Sequence, residues 1–333
     1  MITAHAHSAQ PRWQTLWQQA VRDPRELLHL LDQPELAQRV STAATAQFPL
    51  RVPRGFVARM RRGDPTDPLL RQVLPILDED RIAPGFSLDA VGDGAARATS
   101  GVIQKYAGRA LLIATGACAV NCRYCFRRHF PYAEEAAAAD GWLQALDYIR
   151  ADAGIQEVIL SGGDPLALAT RKLAQLSGAL ASIAHVNTLR IHTRLPVVLP
   201  ERVDGELLAW LRGLRQRVVV VIHANHANEF DSGVDAALAE LKSAGVTLLN
   251  QSVLLAGVND DTDALVDLSG RMFAAGALPY YLHQLDRVAG AAHFEVSDER
   301  ARALLAAMRE RLPGYLVPRL VREIAGESSK TPL

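Results

Sequence analysis

The 333-residue chain has few cysteines, no net charge and no long apolar run, and each shortage excludes a class of protein. Its three cysteines cannot build the disulfide framework of a small secreted domain. Lys plus Arg and Asp plus Glu both number 36, so no global positive field favours nucleic acid or an anionic membrane. No apolar stretch approaches the roughly 20 residues that span a bilayer. The N-terminal run MITAHAHSAQPRWQ also lacks the apolar core of a secretory signal. We therefore expect a cytoplasmic protein that binds neither nucleic acid nor membrane.

Two patterns divide the chain. Residues 1–95 read as short helices interrupted by proline, which predicts a helical N-terminal extension. Residues 96–311 alternate short β-branched or apolar runs with longer amphipathic segments. Residues 312–333 are left as a C-terminal tail.

Strand–helix alternation predicts an α/β fold with a parallel sheet, because such units need right-handed crossovers that cover the sheet with helices. Six units fall short of the eight in a complete barrel, so we predict an open, partial (βα)6 barrel. The expected strands are residues 110–115, 157–164, 188–194, 218–225, 246–255 and 278–286. The expected helices are residues 141–153, 171–184, 203–215, 233–244, 262–275 and 298–311.

Polar residues lie at the carboxyl end of every one of these strands or, for the first strand, in the cysteine loop into which it leads. The carboxyl ends of barrel strands converge on one mouth, where active sites lie. Polar turns explain one or two such ends but not six, so we predict an active site at the mouth. Its candidate residues are the cysteine loop, Gly162–Asp164, His192–Arg194, His223, Asn225, Asn250–Ser252, His283, Gln284 and Asp286.

All the thiols lie in one loop after the first strand, as Cys118, Cys122 and Cys125 in the spacing C-x3-C-x2-C. One interpretation is a structural zinc site in which His129 is the fourth ligand. The other is a [4Fe–4S] cluster held by three thiolates, with one iron open to a small chelating ligand. The position at the barrel mouth favours the cluster.

The loop resembles the signature of the radical S-adenosylmethionine (SAM) enzymes, with Tyr124 just before the last cysteine. In that family SAM chelates the open iron and is cleaved to a 5′-deoxyadenosyl radical. The run SGGDPL is similar to the motif that binds the SAM amino group, which implies this role for Gly162, Gly163 and Asp164. The chemistry is sensible, since glycine permits close approach and a carboxylate suits an ammonium.

The flanking segments resemble one family more narrowly, the lysine 2,3-aminomutases, over roughly residues 95–333. The similar blocks are KYAGRALLIAT, RRHF, TRLPVVLPERV, HANHANE, NQSVLLAGVND and PYYLHQLD. These enzymes use pyridoxal 5′-phosphate (PLP) with SAM, and hold it through a lysine in a C-terminal GGGGKTP-like segment. The ending GESSKTPL implies that Lys330 is that catalytic, PLP-binding lysine, which requires the tail to fold back across the mouth. Tyr106 matches the residue that stacks on PLP, and Arg109 and Lys105 match those that hold its phosphate, although the family more often has Arg at the latter position.

The resemblance also implies substrate contacts. His223 and Gln251 match residues at the SAM pocket, and Arg127 matches the arginine that pairs with the substrate carboxylate. Asp286 matches one of two carboxylates that grip the distal ammonium of lysine. The second is normally aspartate; here it is Glu323, and the extra methylene could compensate or shorten the accepted substrate.

GESSK in place of the glycine run, and the lack of cysteine after Cys125, are similar to a shorter bacterial branch of the family. The resemblance implies conversion of free L-lysine to (R)-β-lysine, which a lysyl-tRNA-synthetase-like ligase attaches to elongation factor P, with an external flavodoxin- or ferredoxin-like electron donor. The alternatives are a catabolic aminomutase acting on lysine or another amino acid such as glutamate, or a structural Cys3His zinc protein without catalysis.

Overall fold

The computed structural model describes residues 12–132 and 142–333. Residues 1–11 and the first residue of the helix expected at 141–153 lie outside these ranges. The strands are β1 Arg97–Thr99, β2 Val102–Ile103, β3 Arg109–Thr115, β4 Glu157–Gly162, β5 Thr188–Thr193, β6 Arg217–His223, β7 Thr247–Val253, β8 Leu278–His283, β9 Arg319–Arg322 and β10 Thr331–Pro332. The helices are α1 Trp13–Gln18, α2 Pro24–Leu30, α3 Thr42–Gln47, α4 Arg54–Val57, α5 Pro68–Arg71, α6 Leu143–Ala151, α7 Thr170–Ala181, α8 Leu195–Val198, α9 Gly205–Arg212, α10 Ser232–Ser243, α11 Thr262–Ala274 and α12 Asp298–Arg311.

The strands form one sheet in which neighbours in the chain are neighbours in space. Pairing is parallel from β3 through β9 and antiparallel between β1 and β2, β2 and β3, and β9 and β10. Strands β1 and β10 are the edges of the described sheet, so the barrel is open, as the sequence predicted.

The six expected strands are β3 to β8, each starting within one residue of its predicted position. Five of them end one to three residues earlier than predicted. The polar residues predicted at the mouth therefore divide into those within the strands, which include His192, His223, Asn250–Ser252 and His283, and those in the loops that follow, which include Gly163, Asp164, Arg194, Asn225, Gln284 and Asp286. The sheet has more parallel strands than predicted, because β9 adds a seventh one within residues 312–333. Four residues of β9 are too few to show a strand period in the sequence.

Four of the helices that follow these strands begin where a short polar side chain accepts a hydrogen bond from the first turn. Asp204, Asp231, Asp261 and Ser297 cap α9, α10, α11 and α12 in this way. Such caps satisfy amide groups that have no partner within the helix. None of the helices in the described ranges is long and apolar enough to cross a bilayer.

Within the described residues 12–95, the N-terminal extension contains helices of four to seven residues, too short to be stable alone. Their buried side chains, among them Trp13, Leu27, Phe56 and Leu69, belong to the same hydrophobic cluster as Leu112 in β3. The extension is therefore packed on the barrel. The division at residues 95 and 311 stays a prediction.

Candidate active site

The cysteine loop follows β3 and packs against the turn after β4. Gly163 N donates to Thr115 O at 2.7 Å. A Cβ on Gly162 would lie 2.7 Å from Thr115 O, and one on Gly163 would lie 2.5 Å from Ala117 O. Gly162 also has a φ of +107°, which L side chains rarely adopt. The glycine pair is thus needed for the loop to reach the end of β4; its contact with SAM stays a prediction.

Asp164, predicted to bind the SAM amino group, already accepts four hydrogen bonds from the protein. The donors are the Thr193 hydroxyl at 2.7 Å and the backbone amides of Arg194 at 2.7 Å, Leu195 at 3.1 Å and Leu166 at 3.0 Å. Burial raises the pKa of Asp164. This carboxyl therefore joins the end of β4 to the end of β5, a positioning role that the sequence did not reveal.

The three cysteine thiols are partly buried and lie close enough to affect one another's ionisation. Burial raises the pKa of Cys118, and the neighbouring Cys125 and Cys122 raise it further. Burial, with Cys122 adding to it, raises the pKa of Cys125 to about 11. Thiolates that repel one another in a buried loop are stabilised by a cationic centre. The donor set therefore fits an iron–sulfur cluster.

His129 does not complete a zinc site. Its Nε2 lies 3.0 Å from the backbone oxygen of Ala289. Among the described residues, no group of three or more His, Cys, Asp and Glu side chains is arranged to hold a single metal ion. A cube binds each thiolate to a different iron, so its ligands lie further apart than those of one zinc ion.

The N-terminal extension holds the cysteine loop through a buried ionic cluster. Arg123 donates Nε and Nη2 to Glu79 at 2.8 and 2.6 Å, and Arg128 donates Nη2 to the same carboxylate at 2.7 Å. All three side chains are at most 1% exposed. Sequence reasoning left the use of residues 1–95 open and missed Glu79, because nothing local to it points to residues 44 positions away.

The C-terminal tail folds back beside the mouth. Strand β10 pairs with β9, and β9 lies parallel to β8 with Val321 opposite His283. Lys330 consequently forms an ion pair with Glu323, and its Nζ lies 5.8 Å from the centre of the Tyr281 ring. The C-terminal tail therefore has the position that a PLP-binding role for Lys330 requires; the role itself stays a prediction.

Of the other predicted PLP residues, Lys105 and Tyr106 contact the same carboxylate, and Arg109 contacts Tyr106. Lys105 Nζ is 3.3 Å from Glu323 Oε1, and the guanidinium carbon of Arg109 is 4.6 Å from the centre of the Tyr106 ring. Burial raises the pKa of Tyr106, and the charge of Glu323 and a hydrogen bond to it raise that pKa further. The structure thus brings Lys105 and Tyr106 to Glu323, which lies 218 and 217 positions later in the chain.

Asp93 is a site residue that the sequence did not reveal. It lies 2.7 Å from both Lys105 Nζ and Arg127 Nε, and Arg127 Nη1 donates to Ser161 Oγ at 3.1 Å. Burial alone would raise the pKa of Asp93, but the two cations hold it below its usual value. Arg127, predicted to pair with the substrate carboxylate, therefore already has a carboxylate partner, and only its remaining edge is available.

Among the described residues, the buried polar atoms at the mouth without a hydrogen-bond partner include His192 Nε2, His283 Nε2 and Asp286 Oδ1. Burial lowers the pKa of both histidines and raises that of Asp286 to about 7, and the charge of Lys330 acts on all three. Native proteins leave few such atoms unpaired. The mouth is therefore suited to a polar ligand.

The predicted SAM residues on the strands lie side by side. His223 is opposite Gln251, and Gln251 is opposite Tyr281, in the ladders of β6, β7 and β8. The Nε2 of His223 is 2.9 Å from the Tyr124 hydroxyl, next to the cysteines. Burial lowers the pKa of His223 to about 3, so the ring is neutral at pH 7. Contacts of His223 and Gln251 with SAM stay predictions.

An open parallel barrel whose first parallel strand leads into a three-cysteine loop is the arrangement of the radical SAM proteins, and the family model "Radical SAM superfamily" matches residues 112–268. The chain is 49% identical over 322 residues to "L-lysine 2,3-aminomutase" of Escherichia coli (strain K12), covering 96% of this chain and 94% of that protein. The protein of the same name from Haemophilus influenzae is 48% identical over 319 residues, covering 96% and 94%. That of Clostridium subterminale is 33% identical over 279 residues, covering 84% and 67%. The chain belongs to the lysine 2,3-aminomutase family of radical SAM enzymes.

As a member of this family the chain is an isomerase of the lysine 2,3-aminomutase type. Radical SAM enzymes use a [4Fe–4S] cluster and SAM, and lysine 2,3-aminomutases also use PLP. The residues present fit these groups: three thiols in one loop, a lysine at the mouth, and unpaired polar atoms at the same mouth. Family membership overrides the alternative of a non-catalytic zinc protein.

Proposed function

We propose that the chain converts L-lysine to (R)-β-lysine with PLP bound at Lys330, in the cytoplasm, and that the product is attached to elongation factor P. The observation that carries this proposal is the β9–β10 hairpin, which brings Lys330 against Glu323 beside the unpaired carboxylate oxygen of Asp286. A PLP-binding lysine and two carboxylates that can accept an ammonium are what a lysine aminomutase needs.

The cluster and SAM, when bound, supply a radical able to remove hydrogen from an unactivated carbon, and PLP carries the migrating amino group. The protein's own residues bind and orient the reactants. Lys330 would anchor PLP, Tyr106 would stack on its ring, and Arg109 and Lys105 would neutralise its phosphate. Lysine held at both ends would keep its β-carbon fixed relative to the cysteine loop.

Glu323 connects the PLP lysine with the substrate. It now neutralises both Lys105 and Lys330, which, against burial, hold its pKa below the usual value. Once PLP occupies Lys330, this carboxylate can accept the distal ammonium of the substrate together with Asp286. A glutamate substrate would instead bring a further carboxylate against these two, which disfavours that alternative.

The role in elongation factor P modification rests on the GESSKTP segment, which is similar to the shorter bacterial branch. The higher identity to the Escherichia coli relative, 49% against 33% for the clostridial one, supports the same placement. The reaction also needs an external one-electron donor of the flavodoxin or ferredoxin type, and a lysyl-tRNA-synthetase-like ligase to consume the product.

The test is anaerobic incubation of the reconstituted enzyme with L-lysine, SAM and a reductant, followed by chiral analysis for β-lysine. Lys330→Ala should lose PLP absorbance and product while retaining its iron. The matched control is Lys242→Ala on α10, which should keep both. Full PLP binding by Lys330→Ala would refute the anchor. Product that the ligase transfers to elongation factor P no faster than L-lysine would refute the physiological role while leaving the aminomutase intact.

A further inference from the structure

Arg194 connects the cysteine loop with a buried polar network. Its Nη1 donates to Cys122 Sγ at 2.7 Å and to the Tyr124 hydroxyl at 2.8 Å. Its Nη2 donates to Gln72 Oε1 at 2.7 Å and to Glu229 Oε2 at 2.9 Å. Arg194 is 6% exposed and Glu229 is fully buried. A guanidinium is thus fixed in contact with one of the three thiols, with a carboxylate behind it.

Glu229 is held as a carboxylate although it is buried. Burial alone would raise its pKa, but Arg194 and hydrogen bonds from Asn225 N and Gln72 Nε2 hold that pKa below the usual value. Gln72 comes from the N-terminal extension and contacts Arg194 and Glu229 at once. Every charged or amide group of this network is therefore fixed by a second partner.

A cluster bound at Cys118, Cys122 and Cys125 gains one negative charge when it is reduced, and this reduction precedes SAM cleavage. Hydrogen bonds to cluster sulfurs and nearby charges set the reduction potential of such clusters. A positively charged hydrogen-bond donor in contact with Cys122 stabilises the reduced state of the cluster. A carboxylate further from the same sulfur destabilises it, and to a smaller extent.

We propose that Arg194 is a positioning residue that raises the reduction potential of the cluster through Cys122, and that Glu229 moderates this effect. The proposal does not depend on the substrate, so it stands apart from the assignment of lysine. It also gives the N-terminal extension a function, since Gln72 orients the guanidinium at the cluster.

The test measures the cluster's midpoint potential by redox titration followed by electron paramagnetic resonance, with iron and sulfide counted per chain. Arg194→Met should hold a tenfold smaller ratio of reduced to oxidised cluster at a fixed potential, which for one electron is a negative shift of about 59 mV. Glu229→Gln should shift the potential in the opposite, positive direction. Arg194→Lys, which keeps the charge, should lie between Arg194→Met and the unaltered protein.

Arg202→Met is the matched control for the loss of a buried arginine. Arg202 is also fully buried, and it donates to the backbone oxygens of Leu166 and Leu168. Its loss should lower stability and leave the potential unchanged. Shifts of Arg194→Met and Glu229→Gln in the same direction, or an unchanged potential in a fully loaded Arg194→Met, would overturn the proposal. If Arg194→Met binds no cluster, the direction of the potential shift in Glu229→Gln decides alone: a positive shift supports the proposal, and a negative or absent shift overturns it.

Discussion

Replacing Glu79 with Gln should destabilise the protein far more than the loss of an exposed ion pair. Glu79 accepts three hydrogen bonds from Arg123 and Arg128, and the two guanidinium groups are fully buried. Burial lowers the pKa of Arg123, and the carboxylate of Glu79 opposes that shift. A glutamine of nearly the same shape leaves two buried cations without a counter-charge.

Removing one partner of a buried ion pair costs about 3–5 kcal/mol, because the remaining charge is desolvated and unpaired. Here two charges are left, so we expect the upper part of that range. The matched control is Glu26→Gln, which removes a carboxylate paired with Arg54 where the side chains are 40% and 53% exposed. Exposed pairs contribute about 0.2–1 kcal/mol.

The free energy of unfolding would be measured by urea titration of the reduced, cluster-free protein, followed by tryptophan fluorescence and circular dichroism. Glu79→Gln should also hold less iron after reconstitution, because Arg123 and Arg128 flank Cys125 in the loop. If Glu79→Gln and Glu26→Gln agree to within about 1 kcal/mol, the extension does not hold the loop by charge, and the reasoning is wrong.

Three further predictions concern the mouth. Gly163→Ala puts a Cβ 2.5 Å from Ala117 O, so it should lower the free energy of unfolding by about 1–3 kcal/mol and lower iron retention. The control is Gly178→Ala in α7, where an added Cβ meets no atom within 4 Å and should lower neither. Asp286 has a pKa of about 7 in the folded protein and about 3.9 in the unfolded chain, so between these values the folded state binds more protons than the unfolded state. Thermal melts should therefore show that stability relative to Asp286→Asn falls by about 1.4 kcal/mol per pH unit between roughly pH 4 and 7. A stability difference that does not change with pH would show that Asp286 is ionised throughout this range in the folded protein. Glu323→Asp removes one methylene and should raise kcat/KM for lysine over ornithine about tenfold or more in competition assays, and an unchanged ratio would remove Glu323 from the substrate site.

Local patterns carried much of the fold and the chemistry. The β-branched runs between amphipathic segments were sufficient to predict β3 to β8, because strands covered by helices read as short apolar runs and the covering helices need one apolar face. The spacing of Cys118, Cys122 and Cys125 indicated the cluster, because three ligands within one loop can be recognised without knowing the rest of the fold. These signals lie within short stretches of chain.

Where the ionic or hydrogen-bond partners of a side chain are distant in the chain, the sequence did not indicate them. Nothing near Arg127 indicates that Asp93 would take its guanidinium, and nothing near Arg194 indicates Cys122, 72 positions away. The spacing and residue types thus determined which groups are available for reaction. Which charges face one another was decided by tertiary packing, since the pairing of buried ions depends on which surfaces the folded chain brings into contact and excludes from water.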